Sequence, residues 1–265
     1  MIVDGKAIAE NIYRELKDEV KTLPHTPRLS VITCAPNFET QKYLNLKKRK
    51  AEEVDITLNI VELAYEVATD EFVQCIQAVA AASDGVVVQL PIPKHIDREA
   101  ILATLPADKD PDGLSEGKGR KNCVSPVVIA IDEISKKHEV SWDGKRVVVL
   151  GQGKLVGAPA AAYARSNGAQ VHVITEETED ATDLVKNADI IVAGIGHVHI
   201  ITPGMVKEGV IVFDAGTSED GGELRGDVHP DVAHKSALFT PVPGGIGPIT
   251  VAGLLRNLVE LAKRQ

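Results

Sequence analysis

The chain has 265 residues, 44% of them hydrophobic, and its 38 acidic and 29 basic side chains leave a formal charge of −9. That length builds one large or two modest domains with a full core, and the acidic balance disfavours a protein wrapped around nucleic acid. No apolar run approaches the roughly 20 residues of a membrane span, and Cys34, Cys75 and Cys123 are too scattered for a disulfide framework or a zinc set.

At the N-terminus, MIVDGKAIAENI lacks the charged-then-apolar-then-small layout of a secretion signal, so a cytoplasmic location is expected. Ala7–Leu23 has helical apolar spacing, Arg28–Cys34 reads as a strand, and a basic helix follows through TQKYLNLKKRKAEEVD, residues 40–55. Thr57–Leu63 is a strand, Glu71–Ala82 a helix, and Gly85–Leu90 an apolar strand running into the sequence QLPIP. Strands separated by helices of this length imply right-handed crossovers and a parallel sheet. The Gly-rich polar run DGLSEGKGRKN, residues 112–122, reads as a domain boundary. A helix then spans Ser125 to His138, its Ser-Pro start suiting an N-cap and a first helical residue. RVVVL is a strand, GQGKLVGAP a Gly-rich turn, and AAAYARSNG a helix closing at Gly168; the strands QVHVI, DIIVAG and VIVFDAG follow. The last helix, Ile249–Arg264, carries its own apolar stripe.

Gly151, Gly153 and Gly157 directly follow the strand RVVVL and lead into a helix. Glycines there permit a tight turn and let the backbone approach a pyrophosphate at the positive end of the helix. The spacing GxGxxxG is one residue longer than the usual dinucleotide fingerprint and is weak alone; the strand–turn–helix context is what points to a nucleotide. The competing reading is a tight turn with no ligand. Sites of this type often place a side chain on the adenine ribose about 20 residues downstream, and here Glu176 and Glu177 follow QVHVIT. A carboxylate accepts hydrogen bonds from ribose hydroxyls and repels a 2′-phosphate, so NAD is favoured over NADP. Alternatively, both glutamates face water and Lys154 pairs with a phosphate.

In the basic helix, about 100° per residue puts Leu46, Tyr43, Val54, Ala51 and Leu44 on one arc with Lys47 in its middle; Lys42, Lys48 and Arg49 fall outside. Most of the basic residues are therefore a solvated face. Lys50 also lies in the arc, so the pattern does not single out Lys47. Two readings of Lys47 stand: a lysine that snorkels to water, or a partly desolvated amine with a lowered pKa that shuttles protons. Tyr43, one turn earlier, is placed to stack on a flat ligand. Gln89 ends the strand GVVVQ and Asp112 sits in the loop KDPDG, both toward the carboxyl side where parallel sheets bind ligands. Each also has a structural reading, as a packing hydrogen bond or a turn cap. His197 and His199 alternate in GHVHI without a third ligand at metal-site spacing, so surface or supporting roles are expected and no metal.

With YLNLK, VVVQLPIP, DKDPDGL, GQGKLVGAP, GDVHP and PVPGGIGPIT in this order, the chain resembles the bifunctional methylenetetrahydrofolate dehydrogenase/methenyltetrahydrofolate cyclohydrolase family, from DGKAIA to the last helix. The resemblance implies an α/β fold of two domains flanking a cleft. One is a folate-binding catalytic domain of residues 1–120 and 246–265; the other is a Rossmann-type NAD(P)-binding domain of residues 121–245. It also implies a homodimer. By resemblance Tyr43 stacks on the folate ring system, Lys47 moves protons in the cyclohydrolase step, Gln89 holds that lysine, and Asp112 binds the pterin edge. Pro243, Gly244 and Gly245, within a loop reaching Gly247, match a stretch lining the space between folate and nicotinamide. Gly151, Gln152, Gly153, Lys154, Gly157, Glu176 and Thr217 are the expected cofactor contacts.

The chain departs from the family pattern in several places. The glycine turn has Gln152 and Gly153 where an arginine and a serine are usual, and Thr175 and Glu176 stand in place of His-Ser. Both changes weaken a 2′-phosphate site and favour NAD. The segment from Asp112 to Ser125 is short, Val124-Ser125-Pro126 replaces Cys-Thr-Pro, and Thr217 and Ser218 replace Ile-Asn near the expected nicotinamide. The expected activity is NAD(P)-dependent oxidation of methylenetetrahydrofolate, with hydrolysis of the methenyl product. The alternatives are a monofunctional NAD-dependent dehydrogenase of the same family, a shikimate-dehydrogenase-like enzyme, and a non-catalytic dinucleotide sensor. VQLPIP together with PGGIGPIT disfavours the shikimate type, and the joint presence of Tyr43, Lys47, Gln89 and Asp112 disfavours the sensor.

Overall fold

The structure is a computed structural model that describes residues 1–115, 123–179 and 181–264, so much of the run read as a domain boundary lies outside the described residues. The chain divides into two compact units, Glu10–Pro126 with Val251–Gln265, and Met1–Ala9 with Val127–Thr250.

The first unit takes in most of α1 (Gly5–Val20), then β1 (Arg28–Cys34), α2 (Phe38–Glu53), β2 (Thr57–Leu63), α3 (Thr69–Ala81), β3 (Gly85–Val88) and α4 (Arg98–Thr104). In α1, Ile12, Tyr13, Leu16 and Val20 recur on one face and are buried. Asn37 starts α2 by accepting the Thr40 amide at 2.9 Å, and Asp97 starts α4 by accepting the Ala100 amide at 3.0 Å. The sheet is parallel in the order β2-β1-β3, so β1 is central and β2 an edge. Ile32, Phe72, Ile76, Val86, Val88 and Ile101 pack on one of its faces. Leu29 and Gly85 point to the other, where a methyl at Gly85 would lie 2.6 Å from Leu258 Cδ1 of the last helix. The strand expected through Leu90 stops pairing after Val88, except that the Gln89 amide still donates to Ile32 O at 2.8 Å.

The second unit continues with α5 (Pro126–Lys137), β4 (Arg146–Leu150), α6 (Gly157–Ser166), β5 (Gln170–Ile174), α7 (Ala181–Asn187), β6 (Ile190–Ala193), β7 (Val210–Asp214), the hairpin strands β8 (Ser218–Asp220) and β9 (Glu223–Arg225), and β10 (Ser236–Phe239); α8 (Ile246–Ala262) leads back into the first unit. Its main sheet is parallel in the order β10-β7-β6-β4-β5. The chain steps outward from β4 to β5 and then crosses back over β4 to β6. The β4/β6 junction is thus the point where strand order reverses, the place where open α/β sheets bind ligands. Trp142 is buried against this sheet, stacked on Phe213 at 5.6 Å and edge-on to Tyr163 at 5.3 Å, with Nε1 donating to Ser135 Oγ at 3.1 Å.

Two helices begin earlier than the apolar pattern suggests, α6 at Gly157 and α8 at Ile246. Each takes a proline, Pro159 or Pro248, into its first turn, where the amide has no intrahelical acceptor to lose. The β8–β9 hairpin has three-residue charged strands and turns through Gly221 and Gly222 at φ of 61° and 83°. Its strands are too short to show a period-two pattern.

Candidate active site

Packing separates the two lysines that periodicity leaves equivalent. Leu44, Lys47 and Ala51 form the buried stripe of α2. Lys50, although on the same arc, belongs to the α1 side: its Nζ donates to Glu10 at 2.5 Å and to Glu53 at 2.7 Å, and stands 4.8 Å from the Tyr13 ring centre. Lys47 is only 8% exposed, and its Nζ donates to Gln89 Oε1 at 2.9 Å. The Gln89 amide is fixed at its other end, where Nε2 donates to Leu90 O at 3.0 Å. The structure thus excludes the snorkelling reading of Lys47. Burial pulls its ammonium below the usual lysine range, against an opposing pull from Asp112. Tyr43 is half-buried one turn earlier on the same helix.

Asp112 is half-buried, and burial pushes its carboxyl up to about 6, with the Lys47 charge pulling back and Asp110 adding to the rise. Its loop is built by two residues that the sequence reading does not single out. Asp110 is 1% exposed; one carboxylate oxygen accepts the amides of Asp112 at 3.1 Å and Gly113 at 3.0 Å, and the other that of Ser115 at 2.5 Å. Asn257, on α8, donates through Nδ2 to Pro111 O at 2.8 Å and Val124 O at 2.7 Å. Gly113 has φ of 69°, and a methyl there would meet Cys123 O at 2.6 Å. Asp-Pro-Asp-Gly carries the signature of a side-chain-stabilised turn, which is the signal for Asp110. Asn257 has only a weak one, an amide inside the apolar run LLRNLVELA.

In the second unit the glycine turn lies at the carboxyl end of β4. Gly151 has φ of 84°, and its amide donates to Ile174 O at 2.8 Å, tying the turn to the end of β5. A methyl at Gly157 would lie 2.1 Å from Gly151 O, so the helix start presses directly on the strand end. Gly153 is different: a methyl there meets nothing within 4 Å. Gln152 and Gly153 are exposed, and Lys154 is half-buried beside them. Glu176 is exposed just beyond β5, where the Thr175 amide donates to Thr178 Oγ1 at 2.9 Å. Thr217 is half-buried between β7 and β8.

Pro243, Gly244 and Gly245 also belong to the second unit. There the Gly5 amide donates to Gly244 O at 3.0 Å and the Gly245 amide to Pro241 O at 2.7 Å. A methyl at Gly245 would meet Pro241 O at 2.6 Å, so the turn admits no side chain. The ring of His199 lies 4.9 Å from that of His229, and His197 is exposed. Among the described residues no group of three His, Cys, Asp or Glu side chains is arranged to hold a metal, and no helix is long and apolar enough to cross a membrane.

A reversing parallel sheet with a glycine turn at its switch point, in a chain whose other unit holds a buried lysine–amide pair, defines an α/β protein of the dinucleotide-binding class. Residues 3–112 match the catalytic-domain model of the tetrahydrofolate dehydrogenase/cyclohydrolase family and residues 125–265 its NAD(P)-binding-domain model. The chain belongs to that family. It is 36% identical to the bifunctional protein FolD of Lactobacillus acidophilus over 276 residues, covering 100% of this chain and 98% of that one. The crystal structure of the bifunctional FolD methylenetetrahydrofolate dehydrogenase/cyclohydrolase from Campylobacter jejuni superposes with a TM-score of 0.92 at 32% identity, over 100% and 99% of the two chains. The Trypanosoma brucei methylenetetrahydrofolate dehydrogenase-cyclohydrolase, complexed with NADP and an inhibitor, gives 0.91 at 33% identity over 100% and 97%.

Proposed function

We propose that this chain oxidises methylenetetrahydrofolate to the methenyl form with NAD(P) and hydrolyses the methenyl form to formyltetrahydrofolate. The observation that carries the reading is the bond from Lys47 Nζ to Gln89 Oε1, 2.9 Å long, in a buried setting that Asp112 shares electrostatically. The oxidation moves a hydride and needs orientation and close approach more than an acid or a base. Bound NAD(P) would supply the hydride acceptor. Gly151, Gln152, Gly153, Lys154 and Gly157 would hold its phosphates, with Glu176 at the adenine ribose and Thr217 toward the nicotinamide. The open space at Gly153 and the bare backbone of the turn suit a diphosphate.

In the hydrolysis, water adds to the cationic one-carbon bridge and loses a proton. A ring nitrogen then gains one as its bond to the bridge carbon breaks, and the remaining hydroxyl proton leaves to solvent as the formyl carbonyl forms. Lys47, neutral more often than an exposed lysine, takes the first proton and returns it in the second step. Gln89 Oε1 keeps Nζ in place throughout. Asp112 accepts from the pterin amino group and ring N–H, fixing which end of the substrate enters, while Tyr43 stacks on the ring system. Pro243, Gly244 and Gly245 touch the substrate in this reading. Folate binding falls to residues 1–120 and 246–265 and NAD(P) binding to 121–245. A homodimer, supported by the sequence resemblance, and a cytoplasmic setting complete the reading. The Glu176 carboxylate and the loss of a guanidinium at Gln152 favour NAD.

The test mixes purified protein with methylenetetrahydrofolate and either nucleotide and follows reduced cofactor and methenyl product by absorbance. Faster turnover with NAD is expected. Absence of turnover with both nucleotides overturns the reading as an enzyme; tighter and faster use of NADP overturns the argument from Glu176.

A further inference from the structure

Two aspartates of the second unit are almost wholly enclosed, Asp214 at 1% and Asp227 at 0% exposure, and neither has a role in the chemistry above. Asp214 ends β7. Its carboxylate accepts the amides of Gly216 at 3.0 Å, Asp227 at 3.2 Å and Val228 at 2.9 Å. Asp227, anchored in this way, accepts in turn the amides of Ile195 at 2.7 Å, Gly196 at 3.3 Å and His197 at 2.8 Å. The two acids form a relay that runs from the end of β7 to the loop after β6. The fit leaves no slack: a methyl at Gly216 would lie 2.2 Å from the Asp227 carboxyl carbon, and one at Gly226 would lie 2.1 Å from Asp214 Oδ2.

The location matters more than the bonds. The loop held by Asp227 leaves the carboxyl end of β6, and the glycine turn leaves that of β4, so they are the two lips of the junction where strand order reverses. They touch: Ile195 Cγ2 lies 2.5 Å from where a methyl on Gly151 would stand. Burying a carboxylate costs several kcal/mol unless donors replace its water, and an apolar plug would fill the same volume without that cost. What the plug would not do is set three consecutive amides, and Ile195 with them, in one fixed arrangement against the glycine turn.

We propose that Asp227, held in turn by Asp214, is a positioning residue for the dinucleotide: it moulds the β6 loop into the wall of the cofactor crevice opposite the glycine turn. This rests on the reading of the chain as an NAD(P)-dependent enzyme. Asp227→Asn keeps the size of the side chain but turns an amide NH2 toward amides that themselves donate. The KM for the dinucleotide is expected to rise about tenfold or more, with a matching loss of affinity by calorimetric titration, while the KM for the folate substrate moves less than twofold. Gly216→Ala, which keeps the acid but displaces it, should reproduce the same split, and it decides the matter alone if Asp227→Asn does not fold. A folded variant with unchanged dinucleotide KM overturns the proposal, and so does a parallel rise in both KM values, which marks general damage. Wild-type protein that neither binds nor turns over a dinucleotide would instead sink the functional reading on which the proposal stands.

Discussion

The two units each offer polar groups near the carboxyl ends of a parallel sheet, but they do so by opposite means. In the first unit the groups proposed to act are ionisable side chains, a lysine bonded to a glutamine amide with a carboxylate in electrostatic reach. In the second they are proposed to be main-chain amides of the glycine turn, opposite a loop whose own amides are taken up by the buried Asp227. The difference follows the chemistry proposed for each. Moving a proton needs a group whose own charge changes, and burial tunes it. Gripping a diphosphate needs donors that hold no proton to exchange, and backbone serves better than any side chain.

Replacing the amine tests this contrast most severely. Lys47→Met should lower cyclohydrolase turnover by about a hundredfold or more, while dehydrogenase activity survives far better; equal loss of both would mean the lysine serves binding rather than proton transfer. Gly157→Ala should act on the other side. Its methyl meets Gly151 O at 2.1 Å, so the turn must open, costing about 1–3 kcal/mol in thermal denaturation and raising the dinucleotide KM with little effect on folate KM. Glu176→Ser should raise NADP use relative to NAD several-fold, by removing a charge that repels the 2′-phosphate; an unchanged ratio in steady-state assays would place Glu176 outside the ribose site.

A smaller effect is expected from pH. Asp112 titrates near 6 in the folded chain because burial favours its protonated form, so this group's contribution to stability is full below the unfolded value near 3.9 and is gone above about 6. In the binding role proposed for Asp112 the sign reverses, since only a carboxylate can accept from both pterin donors. The folate KM should therefore rise a few-fold as pH falls below 6, and Asp112→Asn should flatten that profile. The smallest change belongs to Gly153→Ala, where the methyl meets nothing within 4 Å. Stability should stay within about 0.5 kcal/mol, and only dinucleotide affinity should respond.

Regular elements with a clear period were legible in the sequence. Arg28–Cys34, Thr57–Leu63, RVVVL and QVHVI match strands residue for residue. The basic helix, read as 40–55, runs Phe38–Glu53 because Asn37 supplies a cap three residues ahead of the expected start. What stayed hidden depends on partners far along the chain. Lys47 and Lys50 look alike on a helical wheel and are separated only by Gln89 on one side and Glu10 on the other. The sequence GDVHP contains Asp227, but nothing local reveals that its acceptors serve amides about thirty positions earlier. Asp110 is the intermediate case, since its bonds fall within its own turn.

The chain has a single tryptophan, and it lies in the Phe213–Tyr163 sandwich of the second unit. Its emission is therefore a built-in dye attached to one half of the molecule. A urea titration watched by that light alone, laid over one watched by far-ultraviolet dichroism of the whole backbone, would separate the curves if the halves let go at different denaturant strengths and superimpose them if they melt as one.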